Sequence, residues 1–225
     1  MRTALSRMVS SGDVLADGGR YTLAGRYIER QALQDMGRVR VTGDWDGSWV
    51  AVSPLDASRS LADRRELRRQ LEALRFGELR PDYWLRPANI DVAALEPLGK
   101  SKNLIVVVGT VATPDQQALV RQLWSLENIR SQAIALTDEL VVLSMSLARL
   151  REGGEDTVLR NRWLVDAFLK AADVVRFLTR EPRLPAELVG ERWEPDRLRS
   201  DYDLFEQSFQ REMATFFRWA SGRHG

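Results

Sequence analysis

The feature that most restricts the fold of this 225-residue chain is a long run of apolar residues spaced three and four positions apart. This spacing is typical of a helix that buries one continuous face. Thr113-Pro114-Asp115-Gln116 precedes the run, and a threonine N-cap with proline at the first helical position and glutamine at the third is a strong helix start. The run predicts one long helix, or two separated by a kink. Its apolar positions are Leu123, Leu126, Ile129, Ala133, Leu136, Leu140, Leu143, Leu147 and Leu150.

Two more helices follow Gly153-Gly154, which interrupts the first run. The second carries Leu159, Trp163, Ala167, Phe168, Ala171, Val174, Val175 and Leu178. The third runs from Asp196 to Ser221, with inward positions at Leu198, Tyr202, Phe205, Phe209, Met213, Phe216 and Ala220. Together the three predict a C-terminal helical bundle over residues 113–225. Packing within the chain is the default explanation of the long apolar seam, and a dimer interface along part of it is the alternative.

Residues 44–110 predict a smaller domain of alternating strands and helices. A strand that includes Trp49–Ser53 precedes a helix, which Ser60 opens as a capping box with Asp63 and Gly77 ends. Two strands (78–79 and 83–85), a short helix (89–98) and a fully buried strand (104–109) complete the domain. The order β-α-β-β-α-β predicts a ferredoxin-like split sandwich.

Charged residues of this middle domain admit two explanations. The arginines of its first helix could bind phosphate, but interleaved acids favour a salt-bridged, solvent-facing surface. The arginines are Arg64, Arg65, Arg68, Arg69 and Arg75, and the acids are Asp63, Glu66 and Glu72. Asp56 follows the first strand, where small metal-dependent nucleases of this fold carry an aspartate. Without a second carboxylate or a histidine beside it, Asp56 is interpreted as a loop residue.

The first stretch, Arg2 to Arg26, predicts a helix followed by a β-hairpin. Leu5, Met8 and Val9 share one face of the helix, and the other face carries two arginines and three hydroxyls without a carboxylate. Short strands around Asp17-Gly18-Gly19 fit a tight hairpin, because glycines supply the positive φ that such turns need. A further helical run over 24–37 completes a first domain, residues 1–37. Helices with a polar Arg/Ser face are often merely solvated, but the hairpin directly behind this one favours a DNA-reading winged helix-turn-helix. The polar face consists of Arg2, Thr3, Ser6, Arg7 and Ser10, and the hairpin adds Arg20 and Tyr21.

Composition excludes several classes of protein. There is no cysteine, and the single histidine, His224, lies in the tail, so neither thiol nor histidine chemistry is expected. The chain has no Gly-rich phosphate loop, no nucleophile elbow, no apolar run long enough to span a membrane and no signal peptide. We therefore expect a cytoplasmic protein that is not an enzyme, with no catalytic residues, metal site or cofactor. Net charge is +1, but residues 1–42 hold seven Arg against four Asp or Glu, so the positive end is the one assigned to DNA.

Five stretches together resemble the phenylacetic-acid degradation repressor (PaaX-like) family of bacterial transcription regulators. They are RTALSRMVSSG with its hairpin, WDGSWVAVS, LRFGELRPDYWLRP, LWSLENI and RFLTREPRLPAELVGERWEP. The resemblance covers nearly the whole chain. It departs at the start, because family members carry a strand and two helices before the recognition helix, whereas here Met1 stands directly before it. The expected fold is therefore α+β: a truncated winged helix-turn-helix, a ferredoxin-like middle domain and a C-terminal helical bundle.

The resemblance implies a homodimeric repressor that binds a double-stranded DNA operator of an aromatic-acid (phenylacetate-like) catabolic operon. It also implies relief of repression by an acyl-CoA effector such as phenylacetyl-CoA. Within the last quoted stretch, the resemblance implies Arg176, Arg183 and Trp193 as effector-binding residues. The alternative is an effector-sensing or protein-interaction module that has lost DNA binding through N-terminal truncation. A metal-dependent nuclease at Asp56 is a distant third.

Overall fold

The computed structural model describes residues 14–17, 20–23, 45–56, 58–90, 95, 103–152 and 157–221, with side chains within 45–150 and 158–215. It divides into two compact units, Met1–Val111 and Ala112–Gly225.

The predicted hairpin is confirmed in the first unit. Strands β1 (Val14–Asp17) and β2 (Arg20–Leu23) pair antiparallel, with Asp17 opposite Arg20. Only Gly18 and Gly19 therefore connect the strands, the shortest common hairpin connection. The predicted helices before and after the hairpin lie outside the described residues.

The rest of the first unit is a four-stranded sheet with one described helix. Strand β3 (Ser48–Pro54) leads into helix α1 (Leu61–Ala73), which is followed by β4 (Gly77–Arg80), β5 (Tyr83–Pro87) and β6 (Leu104–Thr110). The strand order is β4-β5-β3-β6, and every neighbouring pair is antiparallel. α1 packs on the sheet through a core of Val50, Val52, Leu67, Leu71, Leu74, Phe76, Trp84, Ile90 and Leu95.

The start of α1 agrees with its sequence prediction and its end does not. The Ser60 hydroxyl accepts a hydrogen bond from the Asp63 amide at 3.1 Å, which confirms it as N-cap. The helix already ends at Ala73, because Arg75 adopts a left-handed φ of 63° and the Phe76 amide bonds back to the Leu71 carbonyl at 2.9 Å. Gly77, predicted to end the helix, instead begins β4.

The prediction that the last strand is fully buried is wrong. In β6, Ile105, Val107 and Val108 are 45%, 54% and 59% exposed. The reason is that β6 lies at an end of the described sheet, and only its alternate residues Leu104 and Val106 pack against the core. The predicted helix 89–98 lies largely outside the described residues.

The second unit is helical. Its elements are α2 (Gln116–Leu123), α3 (Leu126–Glu152), α4 (Thr157–Arg180), the short α5 (Ala186–Val189) and α6 (Glu194–Ser221). The long apolar run therefore forms two helices, α2 and α3, which is one of the two predicted arrangements. The N-cap of α2 is Asp115 rather than Thr113, because the Asp115 carboxylate accepts the Ala118 amide at 2.8 Å. Thr113 instead accepts the Asp115 amide, at 3.4 Å.

The bundle core joins α3, α4 and α6 and confirms most of the predicted inward positions. Its buried members are Ala133, Leu140, Leu147, Trp163, Leu164, Ala167, Val174, Leu198 and Phe205. The Trp163 indole donates to the Leu143 carbonyl at 2.9 Å, so its polar atom is satisfied inside the core. On α4, however, Leu159, Phe168 and Val175 are 50%, 60% and 43% exposed and do not belong to this core.

Candidate functional sites

The hairpin carries the described part of the predicted DNA-binding surface. Arg20 is the first residue of β2, next to the two-residue connection, and Tyr21 follows it opposite Ala16. The backbone register therefore puts Arg20 at the end of the hairpin, directly after its two-residue connection. The predicted recognition residues Arg2, Thr3, Ser6, Arg7 and Ser10 lie outside the described residues.

A second candidate site is a charged cluster at one end of the helical bundle, centred on Glu181 just after α4. The Glu181 side chain is fully buried. Its carboxylate accepts the Arg183 amide at 2.7 Å and the guanidinium of Arg199, on α6, at 2.9 Å. Arg199 also donates to Asp196 at 3.0 Å. These charge-assisted bonds tie the segment after α4 to the first turns of α6.

The opposite charges of Arg183 and Asp196 attract one another in this cluster. Burial, and then repulsion from Arg199, lowers the pKa of Arg183, although a guanidinium stays charged at any physiological pH. Burial raises the pKa of Asp196, and Arg199 partly opposes that effect. The Asp196 side chain is 65% exposed, so solvent screens its contribution to stability. Arg183 also has a left-handed φ of 53°, a strained conformation for a residue other than glycine.

Trp193 forms the neighbouring part of this end of the bundle. It is 3% exposed, and the guanidinium of Arg130 lies 5.7 Å from its ring centre, within the range of a cation–π contact. Arg130 is held there by Glu194, which accepts its Nε at 2.8 Å. The indole Nε1 of Trp193 is buried and has no hydrogen-bond partner in the described structure.

The three suggested effector-binding residues share no described hydrogen bond, ion pair or ring contact with one another. Arg183 and Trp193 lie in the segment between α4 and α6, whereas Arg176 lies on the exposed surface of α4 and bonds Asp173 at 2.8 Å. The structure gives Arg176 a local ion pair and no contact with Glu181 or Trp193 among its described bonds.

Glu181, Arg199 and Arg130 were not predicted from the sequence as members of this cluster. The Glu181–Arg199 pair spans 18 positions across a helix break, and no local spacing rule relates such residues. One sequence feature does point to this site. Glu181 is directly followed by Pro182 at the end of an apolar helix pattern, which indicates that the helix ends there in a turn.

Most of the charged residues of α1 form the solvent-facing surface that was expected. Arg75 does not, because it lies beyond the end of the helix and is only 4% exposed. Arg68 pairs with Glu78, and Arg69 pairs with Glu66 on the same helix. The Asp56 carboxylate accepts the Ser58 amide and hydroxyl, both at 2.7 Å, and the amide bond is the main cause of its lowered pKa. Asp56 is thus a loop residue that closes a local turn, as predicted.

The described residues contain neither a candidate metal site nor a helix suited to span a membrane. No three acidic, histidine or cysteine side chains come together as a possible metal site in this part of the chain. None of the helices described here combines the length and apolar character that crossing a membrane requires.

Comparison with known proteins gives a structural neighbour. No protein-family model and no curated protein matches the chain. The solved structure of the uncharacterized protein Rv0674 from Mycobacterium tuberculosis is similar to it, with a TM-score of 0.61 and 27% sequence identity. The match covers 95% of this chain and 82% of that one, so the similarity includes both units. The neighbour supports a mixed α+β fold with a mostly helical second half.

Proposed function

We propose that this chain is a DNA-binding transcription regulator that reads a duplex with a winged helix-turn-helix at its N-terminal end. The observation that carries the proposal is the hairpin register, which puts Arg20 beside a two-residue connection. An arginine at that position suits a phosphate contact that positions a neighbouring helix in the groove. The preceding segment supplies Arg2 and Arg7 for bidentate contacts with guanine edges.

We also propose that the middle domain has a ferredoxin-like fold. The antiparallel order β4-β5-β3-β6, with α1 linking β3 to β4 across β5, is the order that a ferredoxin-like middle domain requires. Together with the C-terminal bundle, this supports the domain plan of the phenylacetic-acid degradation repressor family. The repressor role at an aromatic-acid operon rests on that resemblance.

The first experiment selects a short duplex from a randomised pool with the full chain and measures its affinity beside that of an unrelated duplex. Arg2→Ala or Arg7→Ala should weaken binding of the selected duplex by about 1–3 kcal/mol and leave the unrelated one nearly unchanged. Arg20→Ala should weaken both and lower the salt slope by about 1.

The matched control is Arg65→Ala, which removes one exposed charge from α1, away from the hairpin sequence. It should leave the affinity and the salt slope unchanged. If no duplex is enriched, or if the Arg2 and Arg7 double substitution binds the selected duplex as tightly as the parent chain, the DNA-binding proposal is wrong.

The effector part of the proposal concerns the cluster at the end of the bundle. We propose that an acyl-CoA thioester such as phenylacetyl-CoA binds where Arg183 and Trp193 lie, and weakens DNA binding. The unpartnered indole Nε1 of Trp193 is a donor that a thioester or pantetheine carbonyl could use. Calorimetric titration with phenylacetyl-CoA should show binding that Trp193→Phe weakens and Arg176→Ala does not. Equal loss in both variants, or no heat in the parent chain, contradicts this assignment. Binding of the thioester without binding of any duplex would favour the sensor-module alternative.

A further inference from the structure

Helix α4 exposes an apolar face on the side opposite the bundle core. This outer face consists of Val158, Val165, Phe168, Leu169, Ala172 and Val175. At 100° per residue they fall within one stripe, while Trp163, Ala167 and Val174 occupy the opposite, buried side. The five larger side chains are between 43% and 76% exposed.

The size of this outer face sets it apart from scattered surface apolar residues. From those exposed fractions and ordinary side-chain areas, the five residues leave roughly 500 Å² of apolar surface in water on each copy. An apolar patch of that size is in the range of the largest that monomers commonly expose, and such patches often serve as interaction sites. Two copies packed through it would bury about 1,000 Å², the area at which specific interfaces begin, before any flanking side chain is included.

The order of residues within the face is self-complementary. If two α4 helices pack antiparallel about a two-fold axis midway between Phe168 and Leu169, these two residues oppose each other across the interface. Val165 then lies opposite Ala172, so bulky side chains meet at the centre and smaller ones lie on either side. Such a contact is isologous, because each copy presents the same patch to the other.

The charged residues near the centre do not obstruct this packing. Lys170, in the middle of the segment, pairs with Glu139 of α3 at 2.5 Å and so belongs to the inward side of the helix. At 100° per residue, Arg162, Asp166 and Asp173 lie along one edge of the stripe, and Asn161 and Arg176 fall within it toward its two ends. Asp173 pairs with Lys170 and Arg176 of its own helix.

We propose that the outer face of α4 is the homodimer interface of this protein, with two α4 helices packed antiparallel about Phe168 and Leu169. The inference gives a location to the homodimer that the sequence resemblance implies, and its role in DNA binding rests on the proposed function. Its test uses no DNA and no effector, so the two proposals can fail separately.

Disulfide trapping tests the antiparallel arrangement of the two helices. The chain has no cysteine, so only the introduced cysteines can cross-link. Val165→Cys combined with Ala172→Cys should give covalent dimers on mild oxidation, because each cysteine lies opposite the other one of the second copy. Either substitution alone puts its two copies about 10 Å apart along the helix, beyond the usual reach of a disulfide. Val158→Cys puts them about 30 Å apart and should not cross-link. A parallel arrangement would cross-link every single variant, which overturns the proposal.

Sedimentation measurements of the full chain test the face without covalent chemistry. The parent chain should sediment as a dimer, and Phe168→Glu with Leu169→Glu should shift it to a monomer with an unchanged helical circular-dichroism spectrum. Leu204→Glu is the matched control: Leu204 is 66% exposed on α6 and should leave the dimer intact. If the double variant loses its helical signal, the cross-linking pattern decides. A monomeric parent chain, or a dimer that survives the double substitution in folded form, overturns the proposal.

Discussion

Replacing Glu181 should destabilise the helical unit more than any exposed charge in it. The Glu181 side chain is fully buried and accepts two hydrogen bonds, from the Arg183 amide and the Arg199 guanidinium. Breaking a buried ion pair by removing one partner costs about 3–5 kcal/mol. Arg199 keeps its bond to Asp196 and is 21% exposed, so water can solvate part of it after the loss. We therefore expect Glu181→Ala to cost about 2–4 kcal/mol, toward the lower end of the buried range.

Glu181→Gln keeps the side-chain volume and one acceptor but removes the ion pair with Arg199. The amide oxygen can still accept the Arg183 N–H, but the amide nitrogen then replaces the oxygen that accepts the Arg199 guanidinium, so that charge-assisted bond is lost and about 1.5–3 kcal/mol is expected. The assay is denaturant unfolding of the full chain followed by circular dichroism, with separate transitions fitted if the two units unfold apart. Glu187→Ala, an exposed carboxylate on α5, is the control and should change stability by less than about 0.5 kcal/mol. Equal stability of Glu181→Ala and the control would refute the argument.

Three smaller predictions follow from other local contacts. Ser60→Ala removes the N-cap of α1 and should cost about 1 kcal/mol of unfolding free energy, whereas Ser60→Asp should restore most of it. Arg86→Met should cost about 1–3 kcal/mol, because buried Arg86 donates to the Leu74 carbonyl, which would lose that donor; little change in thermal unfolding would contradict this. The hydrogen bond to Glu139 raises the pKa of Lys170, so the pair stabilises the fold below the ordinary lysine value of 10.5 and that contribution is lost as pH rises through the folded-state pKa. Both side chains are partly exposed, so the difference between Lys170→Met and the parent chain should be at most about 1 kcal/mol at neutral pH and vanish at high pH.

Local sequence rules correctly predicted the elements that are determined by neighbouring residues in the chain. The hydroxyl of Ser60 sits where an N-cap belongs, and Gly18-Gly19 join two alternating strands, so α1 and the hairpin begin where predicted. Which of Asp115 and Thr113 caps α2 depends on where the backbone becomes helical. Both side chains can cap a helix, and the one that does so is the one whose backbone turns from extended to helical, which sequence alone leaves open.

Burial of a strand is decided by its neighbours rather than by its own residues. Leu104–Gly109 is as apolar as a central strand, yet β6 has β3 on one side and no described strand on the other. β3 is a central strand because it also pairs with β5. That pairing joins residues more than thirty positions apart, such as Trp49 and Pro87. A pattern read along β6 alone therefore predicts its conformation correctly and its exposure wrongly.

Helix α4 shows why apolar periodicity is ambiguous even when it is strong. Residues at spacings of three and four define a stripe, but a helix can carry two stripes, and Phe168 directly follows Ala167 while belonging to the opposite side. Only the positions of α3 and α6 decide that Ala167 faces the core. The residual apolar side then has the size and self-complementary order of an interface. Phe168 and Val175, which were wrongly assigned to the bundle core, are thus among the residues expected to be buried when two copies meet.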